Sequence, residues 1–249
     1  MRFPQTCIII PCFNEENRLG KYAVSSFAKK NPEFHLILID DCSTDNTLNL
    51  LNAIANDALY RNITVLRNSY NAGKAETIRV GILHLSVIGS FEYVGFWDAD
   101  LSTQLDEVFW FFHFIHLFND KKIFFGSRSL KLGSLITRKL YRHILGRIFA
   151  TAVSRTLDLP VYDTQCGAKI FSMDTALELF EKPFITRWLF DVELLFRYKI
   201  INGKDKTLSD VYEVPLQRWE HKEGSKLKLI DFIKAPLQLY KIKNAYKQI

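Results

Sequence analysis

Short apolar, β-rich runs recur at residues 7–12, 35–40, 63–66, 93–97 and 122–125, and the stretches between the first four carry helical spacing. Strand and helix alternating over such a distance predict a mostly parallel sheet flanked by helices, an α/β fold. With 249 residues the chain suffices for one large domain. We place that domain at residues 1–225 and read residues 226–249 as a C-terminal basic amphipathic helical extension. Ligands of open α/β sheets bind beyond the carboxyl ends of the strands. Three polar clusters fall there: Pro11-Cys12-Phe13-Asn14-Glu15-Glu16, Asp40-Asp41-Cys42-Ser43-Thr44-Asp45 and Asp98-Ala99-Asp100. No G-x-G-x-x-G follows the first run, which disfavours a dinucleotide-binding domain.

Asp98 and Asp100 follow the apolar run Tyr93-Val94-Gly95-Phe96-Trp97. Two carboxylates one residue apart at a strand end suit a divalent ion shared with a nucleotide diphosphate, and magnesium or manganese prefers such oxygen ligands. The same pair, taken alone, also fits solvated or helix-capping acids, so its surroundings decide. Ser43, Thr44 and Asp45 are good N-caps for a helix beginning near Asn46. Adjacent acids at Asp40 and Asp41 repel, and one of them is expected to meet a donor such as a base N–H or a ribose hydroxyl. The run Val108 to Ile115 reads as a helix buried against the sheet, with His113 and His116 packed or at the surface.

The net charge of +6 favours an anionic partner: nucleic acid, an anionic membrane or a phosphorylated substrate. Basic residues concentrate between Lys131 and Arg155 and again between Arg218 and Lys247. Arg138 to Phe149 and Lys226 to Ile249 read as basic amphipathic helices, for which a membrane surface is the expected partner and a plain solvated face the alternative. Nucleic acid is not expected, because the acidic clusters share the ligand face and the basic helices lack an aromatic stacking array. The longest strongly apolar stretch, Val108 to Phe118, is about half of a bilayer span. The start, Met1-Arg2-Phe3-Pro4, has no signal-peptide pattern. A peripheral protein on the cytoplasmic face of a membrane is therefore expected. Cys7, Cys12, Cys42 and Cys166 show no zinc spacing and read as reduced thiols.

Taken in order, Ile9-Ile10-Pro11-Cys12-Phe13-Asn14-Glu15-Glu16, Asp40 to Asp45, Asn71-Ala72-Gly73-Lys74, Asp98-Ala99-Asp100 and Gly126-Ser127-Arg128 resemble the family 2 inverting glycosyltransferases of GT-A fold. Asp163-Thr164-Gln165-Cys166-Gly167-Ala168-Lys169, Arg187 to Leu195, Trp219-Glu220 and Gly224-Ser225-Lys226 resemble the dolichyl-phosphate β-glucosyltransferase branch. Two departures stand out: Ser102 occupies a position where related mannosyltransferases keep a glutamine, and Ala75 replaces a glycine usual after the Gly-Lys pair.

The resemblance implies UDP-glucose as donor and a polyprenyl or dolichyl phosphate as acceptor, with magnesium or manganese as cofactor. Asp41 would contact the uracil or its ribose, Pro11 and Glu15 would line the nucleoside pocket, and Asp98 would lie near the ribose and sugar. Asp100, with Asp98, would hold the metal. Lys74, Gln165 and Lys226 would serve the donor, with Lys169 also shaping the sugar pocket. Arg128 would bind the acceptor phosphate, with Arg138 and Arg142 next. Asp191 stands where many family members keep a base; it is expected to serve as that base, to hold a glucose hydroxyl or to orient Arg187. Other nucleotide sugars, a hydroxyl acceptor, or a non-enzymatic membrane-surface module remain the competing readings.

Overall fold

The computed structural model describes residues 3–56, 62–137, 140–222 and 229–246. Four parallel strands form one side of the sheet: β1 (Thr6–Cys12), β2 (Phe34–Asp40), β3 (Ile63–Arg67) and β4 (Tyr93–Trp97). Helices α1 (Lys21–Lys30), α2 (Thr47–Ala55) and α3 (Lys74–Ile88) connect them, as the alternation predicts. β1 pairs with β2 from Thr6↔Phe34 to Cys12↔Asp40 and with β4 from Thr6↔Tyr93 to Ile9↔Phe96. Buried on both faces, β1, β2 and β4 read as continuous apolar runs rather than alternating ones. Helix α4 (Glu107–Leu117) buries Val108, Phe111, Phe112 and Ile115. His113 stacks on Trp110 at 5.1 Å and His116 shares a hydrogen bond with the Phe112 carbonyl, as surface histidines of a packed helix do.

Past β4 the chain builds the other half: β5 (Ile123–Ser127), β6 (Leu135–Thr137), α5 (Leu140–Leu157), β7 (Ala168–Ser172), α6 (Met173–Phe180), α7 (Phe190–Asn202), α8 (Lys204–Asp210), β8 (Val211–Pro215), β9 (Arg218–Glu220) and α9 (Leu229–Ala245). The seven-stranded sheet runs β3-β2-β1-β4-β7-β5-β8, and β6 and β9 form a separate parallel ribbon. β7 lies antiparallel between β4 and β5 and makes the sheet mixed. It is absent from the apolar runs read in the sequence, because Lys169 interrupts its five residues and the segment reads as a site motif.

The C-terminal helix joins the core: Ala235, Leu239 and Ile242 are buried in the cluster that includes Leu189 and Phe190. The boundary expected at 225/226 lies outside the described residues. An internal polar network ties α9 down. Buried Arg197 donates to the carbonyls of Leu179 (2.8 Å) and Lys182 (2.7 Å), to Glu193 Oε1 (2.9 Å) and to the Tyr246 hydroxyl (2.8 Å). The Tyr246 hydroxyl donates to Glu193 Oε1 at 2.8 Å; burial, then Glu193, pushes its pKa up to about 12. Arg197→Met should cost about 3–5 kcal/mol, since it strands a buried carboxylate, and Tyr246→Phe only about 1–2 kcal/mol. Urea denaturation of both variants checks this order, and equal small losses would show that the network does not anchor α9.

Candidate active site at the carboxyl ends of the strands

After β1 the chain builds outward to β3, then crosses back to add β4 on the other side of β1, which opens a crevice at the carboxyl ends of these strands. The first two polar clusters are stitched together across it. Asn14 N donates to Ser43 Oγ (3.0 Å), Thr44 N to Asn14 Oδ1 (2.9 Å), Glu15 N to Thr47 Oγ1 (2.7 Å) and Glu16 N to Asp45 Oδ2 (3.3 Å). The capping expected of Ser43 to Asp45 is thus mostly replaced by loop-to-loop bonding. Helix α2 begins at Thr47, its cap residue Asn46 makes no side-chain cap bond, and Asp45 Oδ1 accepts from Thr47 N at 3.0 Å. Desolvation opposes ionisation of Asp45, but its bonds from Thr47 and Glu16 outweigh this and hold its pKa low.

The adjacent acids Asp40 and Asp41 turn to different partners. Asp40, fully buried, accepts from Ser43 N and faces Arg67 Nε at 3.5 Å. Asp41 Oδ1 accepts from Asn68 Nδ2 (2.9 Å) and Ala72 N (2.8 Å), and its Oδ2 from Gly73 N (2.8 Å). The donor expected to come from a nucleoside is, in this structure, the backbone of the 68–73 loop, so Asp41 shapes the wall of the crevice. Gly73 sits at φ 89°, and a Cβ there would lie 2.6 Å from Arg187 Nε. Pro11, partly exposed, pairs with Ile39, and buried Glu15 faces Arg18 Nη1 at 3.5 Å.

Three carboxylates and three cations form a ladder across the crevice. Asp98 Oδ1 pairs with Lys74 Nζ at 2.5 Å, Asp100 Oδ2 with Arg18 Nη2 at 2.8 Å, and Asp191 Oδ1 with Lys169 Nζ at 2.6 Å. A turn places the first two acids: Leu101 takes φ 50°, its N–H donates to Asp98 O, and Asp100 Oδ1 accepts from Ser102 N at 3.0 Å. The Ser102 carbonyl accepts from Glu220 N, so β9 braces this loop. Lys169, fully buried, donates to the Cys166 carbonyl and lies over the Phe125 ring. Asp191 sits in the first turn of α7; burial pushes its carboxyl above the usual aspartate range, against the pull of Lys169 and Lys74. Burial works against the charge of Lys74, but Asp98 and Asp191 outweigh it and raise its pKa.

The expectation that Asp191 orients Arg187 is corrected, since Arg187 Nη2 donates to Asn71 Oδ1 and to Asn71 O. Arg128 is close to the site but its fork is occupied: Nε and Nη2 donate to the two oxygens of Asp163, both at 2.7 Å. A bidentate grip on a phosphate through these two nitrogens is therefore not available while Asp163 holds them. Arg138 and Lys226 lie outside the described residues, as does the side chain of Arg142 in α5. Gln165 keeps a buried Nε2 with no hydrogen-bond partner. Arg18 carries no sequence signal, and Asp163 stands in a sequence motif with nothing there to pair it with Arg128, whereas Lys169 does carry one: a lone charge in the run Ala168-Lys169-Ile170-Phe171 demands a buried partner.

Among the described residues no group of three or more His, Cys, Asp or Glu side chains is arranged to hold a metal. Asp98 and Asp100 offer two carboxylates at one turn, a donor set that would suit a hard cation completing its shell with phosphate oxygens and water. Gly167 makes room for the Asp98 carboxylate: a Cβ there would stand 1.8 Å from Asp98 Oδ2. Gly167→Ala must displace the Asp98 carboxylate. We expect the native protein to gain thermal stability with Mn²⁺ and UDP together and the variant to lose most of that gain while keeping its circular dichroism. An undiminished gain would remove Asp98 from the ion's shell.

The model of the glycosyl transferase family 2 matches residues 7–178. Among similar proteins, dolichyl-phosphate beta-glucosyltransferase ALG5D of Trichomonas vaginalis is 30% identical over 96% of this chain and 73% of its own length. The dolichyl-phosphate beta-glucosyltransferase of Dictyostelium discoideum is 31% identical over 88% of this chain and 68% of its own, and that of Saccharomyces cerevisiae 28% over 96% and 74%. Glucosyl-3-phosphoglycerate synthase of Mycobacterium tuberculosis, solved with UDP, superposes with a TM-score of 0.69 at 18% identity, covering 99% of this chain and 81% of that one. That likeness shows the GT-A fold, the α/β architecture expected from the sequence. Fold, motifs and relatives agree, and the chain belongs to glycosyl transferase family 2.

Proposed function

We propose that the protein transfers glucose from UDP-glucose to a dolichyl-type polyprenyl phosphate with inversion, giving lipid-phosphate β-glucose and UDP. The observation that carries this reading is the ladder of Asp98, Asp100 and Asp191 with Lys74, Arg18 and Lys169 at the carboxyl ends of the strands. The acceptor follows from the relatives named dolichyl-phosphate beta-glucosyltransferase. The donor and metal draw support from the synthase of similar fold, solved with Mn²⁺ and UDP-glucose and with Mg²⁺ and UDP.

On this reading the nucleoside lies against Pro11, Glu15 and the loop that Asp41 holds, and the sugar reaches toward Gln165, whose buried Nε2 lacks a partner. Magnesium or manganese, held by Asp100 with Asp98, would neutralise charge on the departing diphosphate as a Lewis acid. Lys74 adds positive charge beside Asp98, and Lys226, outside the described residues, is the further donor cation that the resemblance implies. An oxygen of the acceptor phosphate attacks the anomeric carbon from the face opposite UDP; the new C–O bond forms as the bond to UDP breaks, and the electron pair leaves on the β-phosphate. A phosphate monoester, with its second pKa near about 6, is mostly dianionic at neutral pH and needs no base. Positioning and neutralisation then carry the rate. Arg128, through the Nη1 that its bonds to Asp163 leave out, and Arg138 and Arg142 neutralise the acceptor. Asp191 holds a glucose hydroxyl.

A membrane surface is the proposed partner of α5 and α9. They line an apolar cleft of about 390 Å³, with Leu145, Ile148 and Phe149 on one side and Ala235, Leu239 and Tyr240 on the other. Tyr141, Ile144, Ile148, Leu237 and Tyr240 are exposed. No helix among the described residues is long and apolar enough to cross a membrane; attachment at the cytoplasmic face is part of the proposal. One observation favours a second reading: the raised pKa of Asp191 would suit a general base for a hydroxyl acceptor.

Labelled glucose from UDP-glucose should appear on a short polyprenyl phosphate only with magnesium or manganese, and Asp100→Ala should abolish the product. Asp191→Asn separates the two readings. Turnover within about tenfold of native fits the phosphate acceptor, and a loss beyond about 10²-fold, the scale of a missing base, with UDP and Mn²⁺ binding kept despite the altered Lys169 partner, would favour a hydroxyl.

A further inference from the structure

Arg18 is the one cation of the ladder that links two loops. Its Nη2 lies 2.8 Å from Asp100 Oδ2 and its Nη1 3.5 Å from Glu15 Oε1, so the guanidinium spans from the first polar cluster to the third. Its backbone is fixed by a turn in which Arg18 N donates to Glu15 O at 3.0 Å. The Arg18 and Asp100 side chains are each 20% exposed, too enclosed for full solvent screening and open enough for exchange. The buried Arg18 Nε has no hydrogen-bond partner, leaving a donor of this guanidinium for another acceptor. Lys74 differs: placed between Asp98 and Asp191, it keeps one carboxylate if it loses the other.

Both Asp100 oxygens are engaged, Oδ2 by Arg18 and Oδ1 by Ser102 N, so an ion ligated by Asp100 competes with the paired guanidinium. We propose that Arg18 is a positioning residue that occupies Asp100 in place of the metal and exchanges it for the donor diphosphate when ion and nucleotide arrive together. This rests on the reading of Asp98 and Asp100 as metal ligands. Metal alone must displace a paired guanidinium and binds weakly. With the nucleotide present, the displaced Arg18, still tethered beside Glu15, meets the diphosphate through Nε and Nη2. Arg18 thereby makes metal and UDP bind cooperatively, each removing the cost of binding the other.

The test is a Mn²⁺ titration of the full chain followed by electron paramagnetic resonance, with and without saturating UDP, for native protein and Arg18→Gln. We expect Arg18→Gln to bind Mn²⁺ alone about two- to fivefold more tightly, the scale of a partly exposed ion pair, while UDP tightens Mn²⁺ binding far less than in the native chain. Arg18→Lys should restore the weak metal-alone affinity. Unchanged or weaker Mn²⁺ binding by Arg18→Gln, with native coupling intact, overturns the inference. No Mn²⁺ binding by either protein even with UDP overturns the metal reading beneath it. If Arg18→Gln does not fold, metal-free UDP binding to Asp100→Asn decides. That variant releases Arg18 and should bind UDP several-fold more tightly than native, a gain that Arg18→Lys largely retains in the double variant; no gain overturns the proposal.

Discussion

A lysine without solvent exposure stands in the central sheet, and its charge dictates much of what surrounds the site. Lys169 lies on β7 opposite Phe96 on one side and Phe125 on the other. A buried ammonium left unpaired would cost several kcal/mol, so the chain supplies Asp191 at the start of α7 and the Cys166 carbonyl. Satisfying Lys169 fixes the turn from Cys166 to Ala168. That turn presents the Gly167 carbonyl to Asp98 N at 3.0 Å and leaves the Asp98 carboxylate against the bare Gly167 Cα. The position of the first acid of Asp98-Ala99-Asp100 thus follows from a charge two strand residues away.

The same arrangement explains why β7 runs antiparallel. A parallel strand between β4 and β5 would carry its following loop to the carboxyl ends; the reversed one brings its preceding loop, Asp163 to Gly167, there instead. That loop holds Arg128 through Asp163, and Glu213 on β8 holds the loop in turn by accepting from the amides of Tyr162 and Asp163. The second half of the chain forms this rim, and the first half forms the crevice.

The first four strands were legible because each is a continuous apolar run with helical spacing between, and their carboxyl ends gathered the three polar clusters as expected. The pairings were not. Arg128 and Asp163 are far apart in sequence, as are Arg18 and Asp100, and no periodicity links them. The acidic pair Asp40-Asp41 implies a donor for one of them; the backbone amides of Ala72 and Gly73 that bond to Asp41 become visible only once β3 brings the following loop back. Short β7 and β8 escaped notice because a buried charge in one and mixed polarity in the other break the run a strand usually shows. The basic helices were legible as amphipathic, but the burial of Ala235, Leu239 and Ile242 depends on partners in α5 and α7.

In the proposed reaction a divalent ion meets the nucleoside diphosphate at the Asp98–Asp100 turn, which Lys169 and Gly167 set in place. Anomalous diffraction from crystals grown with Mn²⁺ and UDP tests it most directly. We expect one strong peak about 2.1 Å from an Asp100 carboxylate oxygen, the distance of a small hard cation, with the diphosphate on its far side and the uridine along Pro11 and Glu15. Bound UDP with the manganese elsewhere, or with Arg18 still seated on Asp100 and no metal between them, would contradict it.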